Sequence, residues 1–229
     1  MSASVLPPVE LLYPESDGAP LGENTDQLDC IVTLYNGFDA LFADRPDVVV
    51  AADLFWYPVQ GRPAVVQAPD VMVIFGRPKG RRRSYQQWRE DGVAPQVAVE
   101  VRSPSNTDEH LDEKLQFYDR HGVSEYYLYD PADDSLAAWR RARGGLLAVP
   151  IVGPVSSPLL GVTFETVDGL VPRVVGPDGV PFRPFREVRA EAVAAQAEAR
   201  RERQAADAAR QQADALAAKL RALGHDPDA

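Results

Sequence analysis

The chain is short of the features that would class it at a glance. Cys30 is its single cysteine, which excludes a disulfide framework and a thiolate zinc site. Its three histidines, His110, His121 and His225, follow no metal-ligand spacing. No apolar run reaches the length of about 18 residues that a membrane-spanning helix needs. The first residues, MSASVLPPVELLYPE, have no basic segment ahead of an apolar core, so no secretory signal is read there. The expectation is a protein of the reducing cytoplasm with no membrane association. Positive charge is also scarce: 24 Lys and Arg stand against 34 Asp and Glu, a net charge of -10 over 229 residues. That argues against a broad electrostatic grip on nucleic acid. A local grip stays open, because Arg77, Lys79, Arg81, Arg82, Arg83 and Arg89 crowd one short segment.

What is present is one sizeable core's worth of apolar sequence and an appendage. Residues 1–22 are rich in Pro and Gly and read as irregular. Asn24 and Thr25 can cap a helix that runs to about Phe42, with Leu28, Ile31, Val32, Tyr35, Phe38, Leu41 and Phe42 on its apolar face. Val48–Tyr57 and Ala64–Phe75 read as strands about a Pro58–Pro63 turn, the second broken at Pro69-Asp70. Pairing about that turn would bring Asp53 near Asp70. Gly76–Ala94 reads as a polar loop with a short helix near Tyr85–Arg89. Later strands are expected at Glu125–Tyr129, Leu136–Arg140, Leu146–Val152, Val162–Glu165, Leu170–Val175 and Val180–Phe182. The fold class is α+β, with one domain over residues 1–186. From residue 187 to 229 the composition turns to Ala, Arg, Gln and Glu. One heptad frame passes through Val188, Ala192, Ala195, Ala199, Glu202, Ala206, Ala209, Ala213, Leu216, Leu220 and Leu223. A coiled coil and a single solvated helix are both compatible with it.

The chemistry concentrates in Gln96–Arg102 and the helix after it. Strand alternation puts Val97, Val99 and Val101 on one face and Gln96, Ala98, Glu100 and Arg102 on the other. The helix begins between Ser105 and Asp108, stops at Gly122, and carries Leu111, Lys114, Leu115 and Tyr118 on one side. Glu100 and Lys114 are thus polar groups in apolar settings. Two carboxylates, Asp70 and Glu100, can hold magnesium or manganese, hard cations that prefer oxygen, and a nearby lysine can offset developing negative charge. The structural alternatives are ordinary. Asp70 can cap a turn, Glu100 and Arg102 can form a surface ion pair, and Lys114 can reach solvent over a buried stem. The basic loop, with Tyr85 and Trp88 among its charges, can follow a phosphate backbone through Lys79, Arg81, Arg82 and Arg83, or simply be solvated. Asp53, with Phe55, Trp56 and Tyr57, reads as hairpin packing rather than a site.

Ala68-Pro69-Asp70-Val71, Val99-Glu100-Val101-Arg102-Ser103-Pro104-Ser105, Glu113-Lys114 with Tyr118, Gly122-Val123, Glu125-Tyr126-Tyr127 and Asp130-Pro131 form a specific combination. It resembles the restriction-endonuclease-like family with the PD-(D/E)xK nuclease fold, often present in many copies in bacterial genomes. The resemblance spans roughly residues 20–160. It implies a central mixed sheet flanked by helices, with Asp70 and Glu100 as metal ligands and Glu23 as a further carboxylate. In the wider fold a lysine stands two residues after the glutamate. Here that residue is Arg102, which keeps its charge but cannot serve as a base. The family's lysine falls instead on the following helix, at Lys114, leaving Arg102 as a helper. The implied activity is divalent-metal-dependent hydrolysis of DNA phosphodiester bonds, with a homodimer possible. The alternative is an inactive nuclease-fold protein that serves as an interaction module.

Overall fold

Residues 11–16, 18, 21–165 and 173–223 are described in the computed structural model. They fall in two compact units, residues 1–183 and 184–229. The first is built on helix α1 (Thr25–Leu41), strands β1 (Val48–Ala51), β2 (Trp56–Tyr57), β3 (Val71–Phe75), β4 (Tyr85–Gln86) and β5 (Val97–Val101), helix α2 (Asp108–His121), and strands β6 (Glu125–Asp130), β7 (Ser135–Ala142), β8 (Gly145–Ala148), β9 (Val155–Ser157), β10 (Val162–Glu165) and β11 (Arg173–Val175).

Six strands form a mixed sheet in the order β1-β3-β5-β6-β7-β8. Only β5 and β6 run parallel, and α2 is the crossover between them, as parallel neighbours require. Strand periodicity then divides the core. Val71, Val73, Val97, Val99 and Val101 pack with Cys30, Ile31, Leu34 and Phe38 of α1 on one face. Met72, Ile74, Ala98 and Tyr126 pack with Tyr118 and Val123 on the other. A helix therefore covers each face of the central mixed sheet, and β5 is buried along its whole length. The helix ends follow local chemistry. Asn24 accepts a hydrogen bond from the Gln27 amide at the start of α1, Thr107 does the same for His110 at the start of α2, and Gly122 ends α2 at φ 96°.

Several boundaries differ from expectation. Val48–Tyr57 is not one strand: Asp53 adopts a left-handed backbone, φ 49°, and its amide donates to Pro69 O at 3.1 Å. Beyond that bend the chain joins a separate two-stranded ribbon, where β2 runs parallel to β4. The second expected strand starts only at Val71. Ala64–Asp70 is irregular apart from one bridge from Gln67 back to Trp56. The buried face of α1 is set by Gln27, Cys30, Ile31, Leu34 and Phe38, whereas Leu28 is exposed. Leu146–Val152 shortens to β8. The unforeseen β9 joins β10 and β11 in a second sheet, ordered β11-β10-β9, and Val180–Phe182 contributes only a bridge from Pro181 to Val175. Residues 170–172 of the expected Leu170–Val175 strand lie outside the described residues, as does most of 1–22.

The second unit is helix α3 (Phe185–Ala222), 38 residues or about 57 Å long. Apart from the half-buried Ala217, its described side chains are exposed, among them Val188 and Leu216 of the heptad seam.

Candidate active site

Asp70 lies one residue before β3, and Glu100 is the next-to-last residue of β5. The register pairs Val71 with Val99, so the same antiparallel ladder carried one step further sets Asp70 opposite Glu100. The Asp70 carboxylate accepts the Val101 amide at 2.6 Å, which fixes it against the end of the neighbouring strand. Glu100 is 2% exposed. One of its oxygens accepts the Lys114 ammonium at 2.7 Å and the other accepts the Tyr118 hydroxyl. Lys114 and Tyr118 are four apart on α2, hence neighbours on one helix face. Each carboxylate oxygen has a second lone pair left for a further ligand.

The charges shift one another. Burial, followed by the charge of Glu100, pushes Asp70 well above the usual carboxylate value, while Lys114 and the Val101 amide pull it down. Burial works against the Lys114 ammonium, but the charges of Glu100, Asp70 and Asp53 outweigh it and hold Lys114 above the usual lysine value. Tyr118 is driven well up by burial and by Glu100, so it remains a hydrogen-bond donor.

Asp70 and Lys114 face a cavity of about 560 Å³ that Asp53, Glu23, Gln27 and Phe55 also line. Asp53 thus belongs to the site's surroundings and not merely to hairpin packing, as the β1–β3 register (Ala51 with Met72) requires two residues further on. Gln27 was not foreseen. It is buried, its Nε2 donates to Val101 O at 3.0 Å, and its Oε1 accepts the Glu23 amide at 2.9 Å. It therefore ties the start of α1 to the residue whose amide holds Asp70. The signal was available: 27, 30, 31 and 34 share a helix face with the buried apolar residues.

Other expected residues fall elsewhere. Arg102 does not line this cavity. It stays on the α2 side of the sheet, beside Leu111, Leu115 and Tyr126, but its guanidinium is bound by Asp108 at 2.6 Å and faces Asp130 at 3.6 Å, and these carboxylates hold it away from the cavity. Glu23 does reach the cavity, but its carboxylate accepts the Ser105 hydroxyl, a bond that lowers its pKa. Among the described residues no three His, Cys, Asp or Glu side chains gather closely enough to hold a metal ion, so Glu23 does not complete a ligand set with Asp70 and Glu100. Asp70 on the cavity wall, with the buried Glu100 opposite it on the next strand, offers oxygen donors of the kind a hard divalent cation takes, and such a charge would offset the Glu100 repulsion that adds to burial in raising Asp70. Lys79, Arg81, Arg82 and Arg83 do not line the cavity either. Arg82 is folded onto Glu90 at 2.7 Å, Lys79 lies 3.7 Å from Asp39, Arg83 pairs with Glu15, and Arg81 is exposed.

A family model described as "Uma2: Putative restriction endonuclease" matches residues 19–168. The chain belongs to the Uma2 family. The matched segment contains Glu23, Asp70, Glu100 and Lys114 and ends well before α3. Among solved structures, a crystal structure described as "a putative nuclease belonging to DUF820 from Anabaena variabilis ATCC 29413" is similar. Its sequence identity is 12% and its TM-score 0.44, over 60% of this chain and 74% of that one. No curated protein matches the Uma2 chain.

Proposed function

We infer that the cavity is the active site of an endonuclease that hydrolyses DNA phosphodiester bonds with magnesium or manganese. The observation that carries this reading is the facing pair Asp70 and Glu100, with Lys114 bonded to Glu100 at the rim of one cavity. Asp70 and Glu100 would hold the cation, which supplies positive charge for a phosphoryl oxygen and acidity toward water. Lys114, kept protonated by the surrounding carboxylates, serves as a fixed cation toward the charge that develops on the phosphate, not as a base. Tyr118 and the Val101 amide keep the two carboxylates in place, and Gln27 fixes Val101 from the other side. Arg102 has no part in this reading.

Supercoiled plasmid incubated with the purified protein and either metal is expected to be nicked or linearised. Asp70→Ala should abolish the activity, and Lys114→Met should lower it by about a hundredfold or more. Plasmid and single-stranded circular DNA both left intact under both metals, with no heat of manganese binding by calorimetry, would overturn the reading. A second reading, a non-catalytic module that retains the fold, draws on one observation: α3 exposes an apolar seam that no described element of its own unit covers.

A further inference from the structure

The described part of the N-terminal segment does more than pass over the surface. Pro14 and Ser16 form part of the cavity wall. Tyr13 lies edge-on to Tyr57, with ring centroids 5.1 Å apart, and tilted over Trp88 at 5.0 Å. The Gly61 amide donates to the Tyr13 hydroxyl at 2.6 Å, and the Tyr57 hydroxyl donates to Pro14 O at 2.5 Å. Two residues past Tyr13, Glu15 accepts the Arg83 guanidinium at 2.5 Å. Phe55, which lines the cavity, stands 6.2 Å from Tyr57. Phe55 on the cavity wall, the buried Tyr57 next to it, Trp88 and Arg83 are therefore gathered around Tyr13–Glu15. What covers them is an aromatic ring followed by an anion.

Rings that stack and a cation that takes an anion are the means by which proteins hold a single nucleic-acid strand without regard to its sequence. We propose that Phe55, Tyr57, Trp88 and Arg83 form a track for one nucleic-acid strand leading to the Asp70–Glu100 cavity, and that Tyr13–Glu15 occupies this track as an intramolecular stand-in, its ring in place of a base and its carboxylate in place of a phosphate. The proposal rests on the reading of the cavity as a phosphodiester-cutting site. The segment can be exchanged for a strand because its contacts are of the same kind and individually weak. The Arg83 side chain is 86% exposed, and an ion pair so exposed adds little. The track selects a single strand over a duplex, since paired bases already stack on their neighbours and offer no free faces. It also reconciles the net charge of -10 with a polyanionic substrate. Grip comes from ring faces and one guanidinium, and the chain's own anion holds that guanidinium until a strand displaces it.

The test is binding in EDTA, where cutting cannot intervene, using short fluorescein-labelled oligonucleotides and fluorescence anisotropy. Glu15→Gln leaves the ring packing intact and is expected to tighten single-strand binding severalfold. Adding Tyr13→Ala should bring the gain to about tenfold, as a competitor is removed. Trp88→Ala in that double variant should then lose at least about fivefold. Duplex of the same sequence should gain nothing, and deoxy and ribo strands measured side by side identify the sugar preferred. In the parent protein, oligonucleotide binding should speed hydrogen exchange at the Gly61 amide as the Tyr13 hydroxyl leaves it. Unchanged or weaker binding by Glu15→Gln, an equal gain for duplex, or Gly61 exchange that stays the same or slows would each overturn the proposal. Tight strand binding without cleavage under magnesium or manganese overturns the catalytic reading alone. Cleavage with strap variants that bind no better overturns the track alone.

Discussion

Asp70 is held at a cost to the fold. Its pKa is raised by burial and by Glu100, so folding favours the protonated carboxyl and stability falls as pH climbs from the unfolded carboxylate value, about 3.9, through the raised folded one. Asn has no such titration and can still accept the Val101 amide. In EDTA, Asp70→Asn is therefore expected to be the more stable protein at neutral and alkaline pH, by about 1 kcal/mol or about 2–4 °C. The gap should close toward pH 4, and thermal melts across that range check it. A gap that is constant with pH would show that Asp70 carries no such strain. The nearness of Asp70, Glu100 and Lys114 was legible because each breaks a local pattern or extends one motif. Gln27 was overlooked although it shares a helix face with Cys30, Ile31 and Leu34, and Asp53 was placed near Asp70 by the expected pairing but read as hairpin packing, because a register alone does not show which residues line a cavity. Arg102 stands away from the cavity because Asp108 and Asp130, which no strand pattern places beside it, take its guanidinium.

At the scale of elements, the second sheet packs on the main core through Val155, Val162, Phe164 and Val174, and one buried carboxylate adds a polar tie. Glu125, at the start of β6, is 2% exposed and accepts the Tyr127 hydroxyl at 3.0 Å, the Ser157 hydroxyl and the Leu159 amide. Arg140 stands 3.9 Å away. Phe164 of β10 stacks on Tyr127 at 4.3 Å beside this cluster. Glu125→Ala strands several buried donors at once and should cost about 3 kcal/mol or more. Glu125→Gln should cost clearly less, because it still accepts hydrogen bonds. Urea unfolding of the two variants decides the matter, and equal losses would mean that the charge rather than the hydrogen bonding holds the sheet. None of this is visible in the sequence, where Glu125 sits among tyrosines as one more strand residue. The end of α2 at Gly122 was readable to the residue by its own chemistry, and its start fell within the expected Ser105–Asp108 window, where Thr107 is the cap.

At the scale of the molecule, the chain joins a packed α+β unit to a helix of another character. Within α3 the spacing of Arg203 with Asp207 and Arg210 with Asp214 supports the helix by itself, and the seam through Val188 and Leu216 stays exposed. If that seam joins two copies, helicity of the isolated 184–229 segment should rise with peptide concentration. Deletion of residues 184–229 should then convert a dimer to a monomer by sedimentation. Concentration-independent helicity and an unchanged mass would establish a solitary helix. The long helix itself announces its start by the change to Ala, Arg, Gln and Glu near residue 187, whereas the seam's partner is not encoded in an alanine-rich pattern that many partners satisfy.

The crossover through α2 also sets an order of events in time. Asp70 and Glu100 become neighbours only when β3 and β5 pair across the residues between them, and Lys114 reaches Glu100 only when α2 docks against β5. Long-range pairings of this kind come late in folding. A chain still leaving the ribosome, or one caught half-folded, holds the separate parts of the centre without their assembly, so any power to cut arrives together with the finished fold.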